Sequence, residues 1–445
     1  MGQRPAGRLS IAVIGTGIAG LSAAWLLSRR HEVTVYEKAW RVGGHANTIA
    51  VRSAGGATPV DMGFIVYNPQ TYPNLTALFA ELGVPTEPSD MSFAVSLRGG
   101  GLEYAGTDLK GLFAQKSNLV SRRFWSMMLD LVRFYRQGTR DARAPRADLG
   151  SLGDYLAANG YGEALIRDHL LPMAAAIWST PGGGMLDYPA RAFLRFCDNH
   201  GLLRLTGRPQ WRTVIGGSRS YVDRISAPFD DRIRLGTGVR SVTRRANGVD
   251  LVDTRGKADF YDHVVIACHA DQALSMLTDA SETERETLGA LRYGANEAVM
   301  HRDPALMPRR RAAWASWNYL GGEEEGAVCA TYWMNRLQGL PPSDSIFVTL
   351  NAATPPAVRT VIHRETYEHP LFDEAALRAQ QRLWSLQGGR RTWYCGAYFG
   401  AGFHEDGLQS GLAVAEALGG MRRPWSVPEE SGRIPLGQSS VLVPA

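Results

Sequence analysis

Apolar and polar positions near the start of the chain alternate between two periods. Residues 11–14 form a short apolar run that stops at Gly15. Ala- and Leu-rich positions then recur at helical spacing to about residue 27, and a β-branched run at 33–36 ends on Glu37. Short apolar runs bounded by turn residues read as buried strands, and the 3.6-residue pattern between them reads as a helix. Further strands are expected at 58–65, 93–96, 102–104, 233–237, 239–244, 249–252, 263–268, 328–334 and 345–350, with long helical patterns between 88 and 212. Strands alternating with helices predict an α/β fold.

Within the first unit the glycines have distinct tasks. Gly15 permits a tight strand-to-helix turn, Gly17 lets the backbone approach a pyrophosphate, and Gly20 lets helix and strand pack closely. The helix N-terminus offers free N–H groups and a positive dipole end. Glu37, about twenty residues on as the motif requires, suits a ribose hydroxyl and disfavours a 2′-phosphorylated cofactor.

After Glu37 the segment Arg41-Val42-Gly43-Gly44-His45-Ala46-Asn47-Thr48 resembles the RxGG(R)xxS/T motif of the amine oxidase and phytoene desaturase branch of glutathione-reductase-type flavoproteins. Asp61-Met62-Gly63-Phe64 resembles the DxGxx segment beside the flavin in that branch, and residues 212–218 resemble its returning Gly-Gly turn. Residues 392–411, with His404-Glu405-Asp406-Gly407-Leu408, resemble its C-terminal flavin motif. His45 stands where the branch usually has Arg, and Ala397 stands where it usually has an acid.

The resemblance implies non-covalent FAD on a Rossmann-like domain built from 1–87, 213–270 and 385–425. An interleaved α+β substrate domain is expected from 88–212 and 271–384, with 426–445 as a tail. It further implies cofactor contacts from Gly15, Gly17, Ile18, Ala19 and Gly20; from Glu37, Lys38, Arg41, Gly43, Gly44 and His45; from Gly63 and Phe64; from Val239 and Cys268; and from Gly396, Glu405, Asp406, Gly407 and Leu408.

Composition narrows the rest. With 445 residues, 44% hydrophobic and 20% charged, the chain can form two domains with real cores. Glycines break the early uncharged stretch, and Pro172, Pro181 and Gly182–Gly184 break the one at 171–186, so no spanning helix is expected and a cytoplasmic location is. Cys197, Cys268, Cys329 and Cys395 lack metal-ligand spacing, which points to reduced thiols and no metal. A net charge of +5 does not indicate nucleic-acid binding, yet residues 109–146 carry nine cations against Asp130 and Asp141, about +7. Interleaved with Phe124, Trp125, Met127, Leu131 and Phe134, these suit a peripheral contact with the inner membrane face as well as they suit a solvated side over a core.

The phrases at 316–319, 332–335, 368–370 and 402–407 resemble a bacterial FAD-binding subfamily associated with cyclopropane-fatty-acid-synthase-like methyltransferases. That resemblance implies desaturation of a methyl-branched fatty acyl chain of membrane lipid, with a methyltransferase as partner. Such chemistry needs a base, and His404 is the first candidate, His45 the second. Flavin amine oxidation, isoprenoid or carotenoid desaturation, double-bond isomerisation and a non-catalytic partner role remain open.

Overall fold

The computed structural model describes residues 7–53, 56–144, 149–178, 182–204, 207–321 and 329–437. Pro181, Val328 and Arg146, the last of the predicted basic stretch, lie outside these residues, as does the tail beyond 437.

A five-stranded parallel sheet runs in the order Ile233–Arg234, Glu32–Tyr36, Ser10–Ile14, His263–Ile266, Thr392–Tyr394. Its central strand pairs on both edges, Ile11 with Val33 and with His263, and Ile11, Ala12 and Val13 are sealed from solvent. A strand covered on both faces must be apolar throughout, which is why it has no alternation.

The helix Ile18–Ser28 is buried on every side from Ile18 to Leu27. It lies between this sheet and the helix His404–Ala417. A Cβ on Gly411 would fall 2.2 Å from the Ala19 carbonyl oxygen, and one on Gly407 would fall 2.9 Å from Ile18 Cγ2. Segments almost four hundred residues apart are thus in backbone contact, which clamps two helix N-termini side by side.

A second sheet has seven strands, ordered Val361–Leu371, Arg292–His301, Phe347–Leu350, Cys329–Trp333, Trp317–Leu320, Phe93–Leu97, Leu102–Ala105. All pairs are antiparallel except Trp317–Leu320 with Phe93–Leu97, so one sheet joins strands from 93–105 to strands from 292–371. Helices from 122 to 199 pack around their own core of Leu131, Phe134, Leu165, Phe193 and Leu194.

Several expectations change. The predicted strand at 58–65 ends at Asp61, and that at 233–237 ends at Arg234. Residues 109–146 are not one helix. Short turns lead into the helix Arg122–Arg143, whose Phe124, Met127, Leu131, Phe134 and Tyr135 are core. Its main apolar side therefore packs on protein and is not available to lipid. Among the described residues no helix is long and apolar enough to cross a membrane.

Candidate active site

The turn between Ser10–Ile14 and Ile18–Ser28 forms a cradle. Gly15 has φ +105°, and a Cβ there would fall 2.8 Å from the Ala267 carbonyl oxygen; on Gly20 a Cβ would fall 2.0 Å from the Gly15 carbonyl oxygen. Gly17 differs, since its Cβ would meet nothing within 4 Å. The space over the helix N-terminus is therefore open, where the first-turn N–H groups of Ile18 and Ala19 lack helical partners. Gly44, at φ +56°, closes the far side, with a Cβ 3.0 Å from Gly17 Cα. Arg41 Nη1 donates to the Gly44 carbonyl (2.6 Å) and holds that Gly43-Gly44 loop in place.

Beyond the carboxyl ends of the parallel strands, Glu37 is buried and accepts from Thr16 N–H (3.0 Å), Thr16 Oγ1 (2.5 Å) and Ala39 N–H (2.8 Å). Thr16 fills both acceptor sites of Oε2 and Ala39 one of the two on Oε1, so capacity remains on Oε1 for one ribose hydroxyl. Thr237 N–H donates to the Glu37 carbonyl, and Gly238 lies against Lys38, which brings Val239 to the same edge. Cys268 follows the strand His263–Ile266 there. Burial pushes its thiol up to about 12, so it is no nucleophile at neutral pH.

At the other end, a Cβ on Gly63 would fall 2.1 Å from the His45 carbonyl oxygen, which also accepts from Phe64 N–H (2.8 Å). Phe64 stacks on His404 with ring centres 3.8 Å apart and planes 10° from parallel. His404 Nε2 pairs with the Tyr221 hydroxyl at 2.5 Å. The His45 ring faces Tyr367 at 4.9 Å and His369 at 5.3 Å, and its Nε2 is buried without a hydrogen-bond partner among the described residues. His369 in turn pairs through Nδ1 with the Asn296 amide (3.0 Å).

Burial pulls the His404 imidazole down to about 3 and His369 to about 4, with the His269 charge adding to the latter. It holds His45 well below 6.5, with His369, His269, His404 and Arg41 adding to the effect. Yet Gly15, Gly17, Gly44, His45, Gly63, Phe64, Cys268 and His404 keep some accessible surface. Groups that are desolvated but not sealed line a recessed slot.

Asp61, the acid of the DxGxx segment, does not face that slot. It accepts from Thr48 Oγ1 (2.6 Å), Ser218 N–H (2.9 Å), Ser218 Oγ (2.7 Å) and the Gln338 amide (3.1 Å), tying four distant segments together. Burial raises its carboxyl to about 6 against those hydrogen bonds, which pull it down.

The C-terminal motif needs correction. The Glu405 carboxylate is taken by Asn74, Leu75 N–H and Gln409, and Asp406 by Phe403 N–H and Arg433. What Glu405 can offer a ligand is its backbone N–H, since that of Asp406 donates to the Phe403 carbonyl (3.0 Å). Leu408 is sealed in the core, and Gly396 is closed over by the Tyr398 ring, 2.4 Å from where its Cβ would sit. Both act through packing. Sequence reasoning missed Tyr221, Asn296, Tyr367 and His369; the only hint was the phrase Glu368-His369-Pro370.

The residues fit a flavin dinucleotide: a ribose-hydroxyl acceptor at Glu37, an open glycine cradle at Gly17 and Gly44, and a recessed end beside His45 and Phe64. The helix N-termini at Ile18 and His404 both open toward that slot, which favours anionic groups there.

Comparison with known proteins agrees with the fold and with a flavin cofactor. A family model described as flavin containing amine oxidoreductase matches residues 18–305. No curated protein matches significantly. Among solved structures, a CLA-producing fatty acid isomerase from P. acnes aligns with a TM-score of 0.64 at 16% identity, over 93% of this chain and 99% of that one. Cyclohexylamine oxidase from Brevibacterium oxydans IH-35A aligns at 0.66 and 18%, over 92% and 99%. Putrescine oxidase bound to putrescine aligns at 0.64 and 14%, over 92% and 99%. At these identities the likeness is one of fold.

Proposed function

The chain belongs to the flavin containing amine oxidoreductase family and is an FAD-dependent oxidoreductase; from that premise we propose that it desaturates a fatty acyl chain of membrane lipid, methyl-branched at the reacting position. The observation that carries this reading is the charge state of the slot. His45, His369 and His404 are all held neutral by burial, and Asp61 is turned away into its own hydrogen bonds. Neutral imidazoles and aromatic rings suit an alkyl chain, and Asp61 offers no carboxylate to an ammonium group there. The subfamily resemblance supports the same substrate, with a methyltransferase as the source of the branch.

Bound FAD supplies the two-electron acceptor for a hydride. Hydride loss from a tertiary carbon leaves positive charge, and a hydrogen on the neighbouring carbon becomes strongly acidic. A weak base then suffices, and a neutral imidazole of depressed pKa is one. We take the two histidines in the reverse of the order expected from the sequence. His404 Nε2 is already paired with the Tyr221 hydroxyl, which burial keeps neutral, so we assign His404 a positioning role. His45 Nε2 has no hydrogen-bond partner among the described residues, and we assign it the proton.

Anaerobic absorbance before and after addition of methyl-branched phospholipid tests the reading. Bleaching of the oxidised flavin with loss of two hydrogens from the lipid is expected. A mass-neutral shift of an existing double bond would instead favour isomerisation, the activity named for the fatty acid isomerase of the same fold. His45→Asn is expected to lower turnover roughly 100-fold while the flavin absorbance is kept; wild-type turnover in that variant would remove His45 as the base. Because His45 stays neutral below its usual range, the acid limb of the kcat profile is expected well under pH 6.5. A limb at pH 6.5 would mean a solvated imidazole carries the step.

A further inference from the structure

We propose that the corner where residues 116–120 enter the helix Arg122–Arg143 is a docking site for an anionic lipid bilayer. Most of the helix's apolar side is core, but four large apolar side chains remain outside it. Leu119 is 51% exposed, Val120 84%, Trp125 45% and Leu129 71%. They are adjacent, lining one shallow groove of about 490 Å³ together with Arg122, Ser126 and Asp130. Single exposed hydrophobics are ordinary, but a contiguous group is not.

Two features show that this surface is shaped for an apolar medium. Trp125 has one polar atom, and its Nε1–H donates to the Leu119 carbonyl at 2.9 Å, so immersion of the ring strands no donor. Asp130, the one carboxylate in the groove, is bound by Gly162 N–H (2.9 Å) and Arg133 (2.9 Å). It is neutralised before anything docks.

The surrounding charge selects the occupant. Lys110, Lys116, Arg122 and Arg136 are exposed and form no ion pair among the described residues, whereas Arg123 is committed to Asp168 and Arg133 to Asp130. Arg122 lines the groove and Lys116 begins the turn that forms it, and long basic side chains beside an apolar centre can lay their stems along acyl chains and place their charges among phosphates. A diffuse anionic surface matches four unpaired cations without fixed partners better than a protein face, where each would need its own carboxylate. In contrast to an amphipathic helix lying in the membrane, only the first two turns, Arg122 to Leu129, and the loop before them insert, and the helix stays packed.

The test is flotation of the full-length holoenzyme with vesicles of phosphatidylglycerol or of phosphatidylcholine, neither carrying a methyl branch, so that the result does not depend on the substrate assignment. Binding is expected to phosphatidylglycerol, at least about 10-fold weaker to phosphatidylcholine, and reduced by salt. Val120→Asp with Leu129→Asp changes only exposed positions, and it is expected to raise the lipid concentration for half-binding at least about 10-fold with flavin absorbance and melting temperature retained. Equal flotation of this variant and the wild type would overturn the proposal. So would absence of wild-type binding, including the case in which the same substitutions instead split a dimer or release a protein partner.

Discussion

Acidification from pH 6.5 to pH 4 is expected to unfold this protein. His169, His200 and His301 are 7%, 5% and 0% exposed, and burial lowers their pKa values to about 4, 3 and 4. Their hydrogen bonds fit the neutral form. His169 Nδ1 meets the Tyr104 hydroxyl, His200 Nδ1–H donates to the Phe196 carbonyl, and His301 Nε2 meets Thr349 Oγ1. In the unfolded chain each titrates near 6.5, so below that pH the unfolded state binds protons that the folded state refuses.

Stability is therefore full above pH 6.5 and falls until the folded pKa is reached. At about 1.4 kcal/mol per pH unit, each group costs roughly 3 to 5 kcal/mol across its window. Asp61 opposes this. Its folded pKa of about 6 lies above the unfolded one, so it takes up a proton in the folded state first and returns about 3 kcal/mol. The net loss is on the order of 8 kcal/mol, comparable with the whole stability of a typical domain. Urea unfolding of the holoenzyme at several pH values should show this slope, and His301→Gln should flatten it by about one proton. Constant stability between pH 6.5 and 5 would show that these imidazoles reach water.

The second large effect separates two glycines three residues apart. Gly20 sits where a Cβ would lie 2.0 Å from the Gly15 carbonyl, backbone that cannot yield without opening the strand–helix turn. Gly20→Ala is expected to cost about 3 kcal/mol or more and to give little soluble protein. Gly17 has φ −64° and ψ 173°, a backbone any residue adopts, and open space beyond it. Gly17→Val should fold with a melting temperature like that of the wild-type apoprotein. It should lose FAD affinity roughly 100-fold, or about 2.7 kcal/mol, because the valine fills the space the pyrophosphate needs. A yellow, fully loaded Gly17→Val protein would overturn this account of the cradle.

The two glycines also show how much was legible in the chain. Their spacing announced the turn, and period-two and period-3.6 patterns placed the central strand and its helix. The spacing also told the open Gly17 from the closed Gly20, which meets the carbonyl of Gly15 in the same turn; what it could not give is the wall brought in from elsewhere, Gly44 against Gly17 and Ala267 against Gly15. Residues 122–143 show a similar limit. The basic amphipathic pattern was real, but periodicity does not identify what covers an apolar face. Here Phe134 and Leu131 meet other helices, which leaves Leu119, Val120, Trp125 and Leu129 at the surface.

By itself the sequence determined the dinucleotide cradle and its acid, since a tight turn, a helix N-terminus and a nearby carboxylate are local features carried by consecutive residues. Tertiary structure alone decided the recessed end. Whether His45 or His404 can take a proton depends on Tyr367 and His369, 322 and 324 positions from His45, and on Tyr221, 183 positions from His404, which meet their partners only after two sheets have assembled. Burial, not residue type, sets the charge of an imidazole, and burial is a property of the folded whole.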